Sequence, residues 1–106
     1  MSTLVASQVK FYSDQDEDVF FAWLKSISCV QAIRGVGDNI EIEVDDKKVD
    51  GPALRELIAI CTRYEIEMSQ LALLETDQNR AWFAGNQKAF WFEKVFGGQT
   101  GKRRLG

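Results

Sequence analysis

Two segments of this chain carry the same apolar spacing, and that repetition narrows the folds open to it. Phe20, Trp23, Leu24 and Ile27 stand at i, i+3, i+4 and i+7, and Leu54, Leu57, Ile58 and Cys61 repeat the pattern. This spacing puts the four side chains of each set on one stripe of an α-helix. Each stripe is preceded by a start signal. Ser13 opens Ser-Asp-Gln-Asp, a capping-box-like start with an acid at the third helical position, and Asp14, Asp16, Glu17 and Asp18 favour the positive end of the helix dipole. Asp50-Gly51-Pro52 supplies a second cap, followed by a proline where its missing N–H costs nothing. Two one-sided helices need a common layer to cover, and the intervening residues read as that layer.

Residues 40–45 alternate strictly. Ile40, Ile42 and Val44 face a core, while Glu41, Glu43 and Asp45 face water or something cationic. Residues 4–12 read as a first strand and 29–36 as a second, with Gly35 to Asn39 supplying a hairpin turn. Residues 66–75, with Leu71-Ala72-Leu73-Leu74 apolar on both sides, predict a fourth strand covered on both faces. The predicted order is β-α-β-β-α-β. It resembles the ferredoxin-like split βαβ topology, an α+β fold with two helices on one face of an antiparallel sheet. That fold hosts many unrelated functions and implies none of them here.

The segment after the fourth strand is unusually aromatic. Six of the twelve aromatic residues lie within 82–96: Trp82, Phe83, Phe90, Trp91, Phe92 and Phe96. The sequence predicts a short fifth strand at 80–84 and a last helix at 87–96. On a helix, Phe90-Trp91-Phe92 spread over about 200° of arc, so they cannot share one core. Phe92 and Phe96 are expected to cover the far side of the fourth strand. Trp91, with Trp82 as second choice, is expected to meet a partner, since tryptophans are enriched at interface centres.

At 106 residues, 45% hydrophobic and 27% charged, the chain has the size and composition of one globular domain, expected over 1–96. Residues 97–106 are glycine-rich and end in Lys102-Arg103-Arg104, the pattern of a flexible basic tail. Neither a membrane-spanning run nor a secretory signal is expected. Cys29 and Cys61 sit among apolar neighbours and read as two buried free thiols, which fits a cytoplasmic protein.

Charge and missing residue types bound the chemistry. Residues 1–96 hold sixteen acids against ten bases, a net charge of −6. Such a body repels phosphate, and the expected wet strand face carries acids where RNA-binding modules of this topology carry aromatics and bases, so nucleic acid is not an expected partner. With no histidine, the commonest acid/base group and metal ligand is missing. Two cysteines cannot complete a Cys₄ site, and no glycine-rich phosphate loop exists. The acidic run at 14–18 lacks the spacing of a calcium loop and reads as helix capping. No catalytic, cofactor or metal site is predicted. The expectation is a non-catalytic protein-interaction domain that meets a protein partner, or a second copy, through Glu41, Glu43 and Asp45 or through Trp82 and Trp91. An immunity- or antitoxin-type inhibitor of a basic toxin or nuclease is a sharper form of that reading, and a small-molecule sensor domain is an alternative.

Overall fold

The computed structural model describes residues 1–97. It is a small α+β domain built on a three-stranded antiparallel sheet. Strand β1 (Ser2–Ser7) leads to helix α1 (Asp14–Ser26), then to strands β2 (Val30–Val36) and β3 (Asn39–Val44), and on to helix α2 (Gly51–Arg63). The strand order is β1-β3-β2. The expected tail lies, apart from Gly97, outside the described residues.

The capping signals work as the sequence suggests. The Ser13 hydroxyl accepts from Asp16 N–H at 3.1 Å, and the Asp50 carboxylate accepts from Ala53 N–H at 2.9 Å. Both are the Ncap-to-N3 bond that satisfies one otherwise orphaned helix donor. The β2–β3 hairpin closes through Gly37 and Asp38. Gly37 has φ 60° and Asp38 keeps an ordinary φ, the pattern of a type II′ turn with glycine first.

Leu4, Ala6, Ile42 and Val44 of the sheet are buried in one core with Phe20, Leu24 and Ile27 of the first helical segment. Helix α2 is buried more widely. Ala53, Leu54, Leu57, Ile58, Ile60 and Cys61 span an arc of about 160° at 100° per residue, wider than a single contact stripe requires. Beside that arc the helix meets the C-terminal segment, where the Arg55 guanidinium lies 4.1 Å from the centre of the Trp82 ring.

Four predicted elements are corrected. The first strand, expected over 4–12, ends at Ser7, where Gln8 takes a left-handed φ of 52°. Residues 66–75 do not form a fourth strand; Ser69–Leu74 is a 3₁₀ helix. At three residues per turn, Leu71 and Leu74 eclipse each other and are both buried, while Gln70 and Leu73 share a second side. The expected short strand at 80–84 is instead helix α3 (Arg80–Phe83), and the predicted last helix is a series of turns ending in a π-helical turn, Glu93–Gly97. The sheet thus has three strands, and the predicted fourth is absent among the described residues.

The outer edge of β1, where a fourth strand would pair, is occupied by a side chain. Gln70 Oε1 accepts from Val5 N–H at 2.8 Å, and Gln70 Nε2 donates to the Val5 carbonyl at 2.9 Å. The same Nε2 donates to the Glu67 carbonyl at 2.7 Å, which fixes the amide's orientation. A carboxamide has the donor and acceptor of a peptide group, so one glutamine reproduces one rung of a strand pair.

The C-terminal segment is pinned by Asn79, the one buried polar residue among those described. Its Oδ1 accepts from Thr76 N–H at 2.8 Å, its Nδ2 donates to the Leu74 carbonyl at 3.0 Å, and its own N–H donates to Thr76 Oγ1 at 3.2 Å.

Replacing Gln70 by alanine is expected to lower stability by about 1–2 kcal/mol, because both Val5 backbone groups lose their partner in a half-buried position. Urea midpoints measure the loss, and hydrogen exchange at the Val5 amide locates it. Unchanged Val5 protection in the variant would show that the rung is not formed in solution.

Candidate functional site

Alternation along the three strands leaves one face of the sheet without covering helices. Register places nine residues there in three cross-strand rows: Thr3, Glu43 and Ala32; Val5, Glu41 and Arg34; Ser7, Asn39 and Val36. Their side chains are exposed or half-buried. Glu41 and Glu43 therefore do lie side by side on an open face. They share one cation: the Arg34 guanidinium is 3.0 Å from the Glu41 carboxylate and 3.4 Å from that of Glu43. The face is less acidic than the strand alone suggests, since Arg34 comes from a neighbouring strand. Like other exposed pairs, these contribute little to stability.

Asp45 is not part of that face. It follows β3, and its carboxylate accepts from Lys47 N–H at 3.0 Å, capping a short 3₁₀ turn at Asp46–Lys48. The chain leaves the sheet after Val44, so the alternation that orients Glu41 and Glu43 no longer orients Asp45.

The tryptophans are also placed differently from expectation. Trp91 is buried at 6% exposure, in the core with Phe83 and Val95. Its ring lies 5.5 Å from Phe83 and 6.2 Å, edge to face, from Trp82. Phe83, fully buried, is the hub of this cluster, with Phe96 at 5.0 Å. Phe92 and Phe96 are half-buried against the core, though the fourth strand they were expected to cover is absent among the described residues. Trp82 is half-buried, with the Arg55 guanidinium over its ring. The aromatic that does reach solvent is Phe90, 72% exposed, and Leu73 is 73% exposed on the 3₁₀ helix. Phe90 is one of three consecutive aromatics, and only the turn at this point decides which of them faces out.

A second candidate surface is not visible in the sequence. A cleft of about 400 Å³ opens where the chain leaves β1 and where α1 begins and α2 ends. Asp16 and Tyr64 form its base. The Tyr64 hydroxyl donates to Asp16 Oδ1 at 3.1 Å, and the Tyr12 N–H donates to Asp16 Oδ2 at 3.1 Å. Burial, and then the Asp16 carboxylate it donates to, raise the Tyr64 phenol above its usual range; Arg63 acts in the opposite direction. Behind Tyr64 stand Phe20 at 4.8 Å, Phe11 at 6.1 Å and Trp23 at 6.5 Å, so the wall is an aromatic cluster.

Two residues on this cleft have unusual backbones. Gln8 at φ 52° and Glu65 at φ 56° are the only non-glycine residues with positive φ among those described, and both line it. Glu65 follows the C-cap of α2. The Ile66 N–H donates to the Cys61 carbonyl at 2.9 Å, closing a Schellman motif at whose left-handed position glycine is the usual residue. A side chain there costs about 1–2 kcal/mol.

Among the described residues no three acidic, cysteine or histidine side chains converge as a metal site would require. Cys29 and Cys61 are buried and not joined to each other. Burial pushes the Cys61 thiol up to about 12 and raises that of Cys29. Thiols so placed stay protonated and unreactive at neutral pH. No helix among the described residues is long and apolar enough to cross a membrane.

These placements have measurable consequences for stability. Trp91→Ala is expected to destabilise the fold by about 3 kcal/mol or more, as a buried aromatic does, while Phe90→Ala stays within about 0.5 kcal/mol. Thermal denaturation of both variants checks the contrast, and equal effects would contradict it. The raised Cys61 pKa contributes stability that is complete below the unfolded-state value of 9.0 and is lost as pH rises toward about 12. Stability should therefore fall on the alkaline side by about 1.4 kcal/mol per pH unit for this one proton, and Cys61→Val should flatten the decline.

Comparison with protein-family models, with curated proteins and with solved structures finds no match to this chain, so its functional reading rests on geometry.

Proposed function

We propose that this chain is a non-catalytic protein-interaction domain, and that it takes a basic partner on the open face of its sheet. The fold is read as a ferredoxin-like split βαβ arrangement whose fourth strand is replaced by the Gln70 rung, leaving both helices on one side. The observation that carries the reading is the pairing on the other side. Two carboxylates, Glu41 and Glu43, share one guanidinium, and both acids are half-exposed. Each carboxylate has acceptor capacity for further donors, and an incoming arginine or lysine meets it without desolvating a buried charge.

Long-range charge supports the same partner. Residues 1–96 carry a net charge of −6, which steers cations toward the domain and speeds encounter. A basic enzyme such as a nuclease toxin suits this field, and an immunity- or antitoxin-type role is the sharper form of the proposal. A cytoplasmic setting belongs to the same reading, through the two free thiols. The aromatic end does not share in it, because Trp91 belongs to the core.

Binding to a purified arginine-rich peptide and to a purified basic ribonuclease, measured by calorimetry at low and physiological salt, tests the proposal. Glu41→Gln with Glu43→Gln should weaken binding about tenfold, whereas Asp14→Asn with Asp18→Asn, the same loss of charge elsewhere, should change it less than about twofold. Arg34→Ala should tighten binding, since it removes the internal competitor. Equal weakening by the two double variants would reduce the effect to net charge and end the proposal.

A further inference from the structure

We infer that the cleft between the end of β1 and the facing ends of α1 and α2 binds a small zwitterion, a molecule of free amino-acid size carrying one carboxylate and one ammonium group. The inference concerns a different surface from the sheet face and does not depend on it.

The volume, about 400 Å³, lies in the range of small-molecule sites. The charge arrangement selects the ligand class. Lys10 and Arg63 line the cleft, and neither makes a side-chain hydrogen bond or ion pair among the described residues. Glu65 lines it too and is equally uncommitted. Asp16 is held by Tyr64 and by the Tyr12 N–H, but each of its oxygens keeps a lone pair. Two cations and two carboxylates thus face one concavity with no net charge. A simple anion there would meet Asp16 and Glu65, and a simple cation would meet Lys10 and Arg63. A zwitterion is matched at both ends: its carboxylate by Lys10 and Arg63, its ammonium by Glu65 and Asp16. The ring of Tyr12, 87% exposed at the mouth, supplies an apolar side for the ligand's remaining atoms.

The backbone gives the second argument. Left-handed conformations at non-glycine residues cluster at functional sites, where strain is kept because the side chain is needed. Both such residues among those described, Gln8 and Glu65, are on this cleft. At the Schellman position of α2, glycine would relieve the strain, yet the chain holds an acid there, in the place where the ammonium group requires one.

The test is an NMR titration of the full chain with each of the common amino acids. At least one should give saturable shifts confined to the amides of Gln8, Tyr12 and residues 63–65. Its N-acetyl and C-amide derivatives should each bind at least about tenfold more weakly. Lys10→Ala, Arg63→Ala and Glu65→Gln should weaken it similarly, while Lys25→Ala and Glu93→Gln leave it unchanged. Glu65→Gly should weaken binding and raise the melting temperature together, a pairing that a merely structural role for Glu65 would not produce. Absence of saturable shifts for every amino acid at about 10 mM would overturn the inference. So would equal binding of the N-acetyl derivative, which would make the cleft a plain anion site.

Discussion

The outer edge of β1 decides the architecture. A strand edge presents N–H and C=O groups that must find partners, and in a split βαβ fold a fourth strand provides them. Here a single carboxamide does so at the middle of the strand, through two hydrogen bonds from Gln70 to Val5. Once that rung exists, the segment carrying it need not be extended. It coils as a 3₁₀ helix, which turns Leu71 and Leu74 onto the core and leaves Leu73 outside. The same rung blunts β1 as a template for another chain at its centre. That favours the open face of the sheet over its β1 edge as the docking surface for the partner we propose.

Helix α2 then has to serve two layers. Its buried arc belongs to the common core, and Arg55 beside that arc reaches the Trp82 ring of the C-terminal segment. The twelve aromatic residues divide accordingly. Phe11, Phe20, Phe21, Trp23 and Tyr64 form one cluster at the α1–α2 end. Trp82, Phe83, Trp91, Phe92 and Phe96 form another around Phe83. Tyr12 and Phe90 remain outside both. The C-terminal abundance of aromatics, which suggested an interface, is mostly the second layer's own core. Without a fourth strand to close the far side, large rings and the Asn79 hydrogen bonds take over that task.

Within the first 63 residues the two helix starts, both apolar stripes and β3 were legible because each of those signals is local. Ser13 and Asp50 cap as their positions imply, and both four-residue stripes are on the buried sides, with Trp23 the half-buried exception. Strict alternation at 40–44 located β3 and the positions of Glu41 and Glu43. Past Tyr64 the signals fail for a physical reason. Consecutive apolar residues such as Leu71 to Leu74 have no period, so strand and 3₁₀ helix cannot be told apart without knowing what pairs with β1. The informative residue was the lone amide in the run, Gln70, whose partner is sixty-five positions away in sequence. Asp45 and Trp91 depart from expectation for a related reason, since neither lies in the regular element whose period would orient it. The cleft was illegible because it joins residues 8–16 to residues 63–65, and a left-handed glutamine or glutamate has no sequence mark.

The cleft and the shortness of β1 have one cause. The sequence supports an extended chain from 4 to 12, with Val9 and Phe11 continuing the alternation. At Gln8 the N–H still donates to the Asp38 carbonyl, at 3.1 Å, which is the last bond of the sheet on this side. The residue's left-handed φ then turns the chain out of the strand. Phe11 is carried 5.2 Å from Phe20 and 6.1 Å from Tyr64, into the aromatic cluster rather than along β3. Lys10 and Tyr12 are brought to the mouth of the space this opens. A strand continued to residue 12 would keep Phe11 in line with the sheet and away from the wall that backs the cleft. The strain at Gln8 therefore does what the strain at Glu65 does from the opposite side. Gln8 ends the extended run at Ser7 rather than at residue 12, Glu65 follows the end of α2, and the two endings face each other across the same cavity.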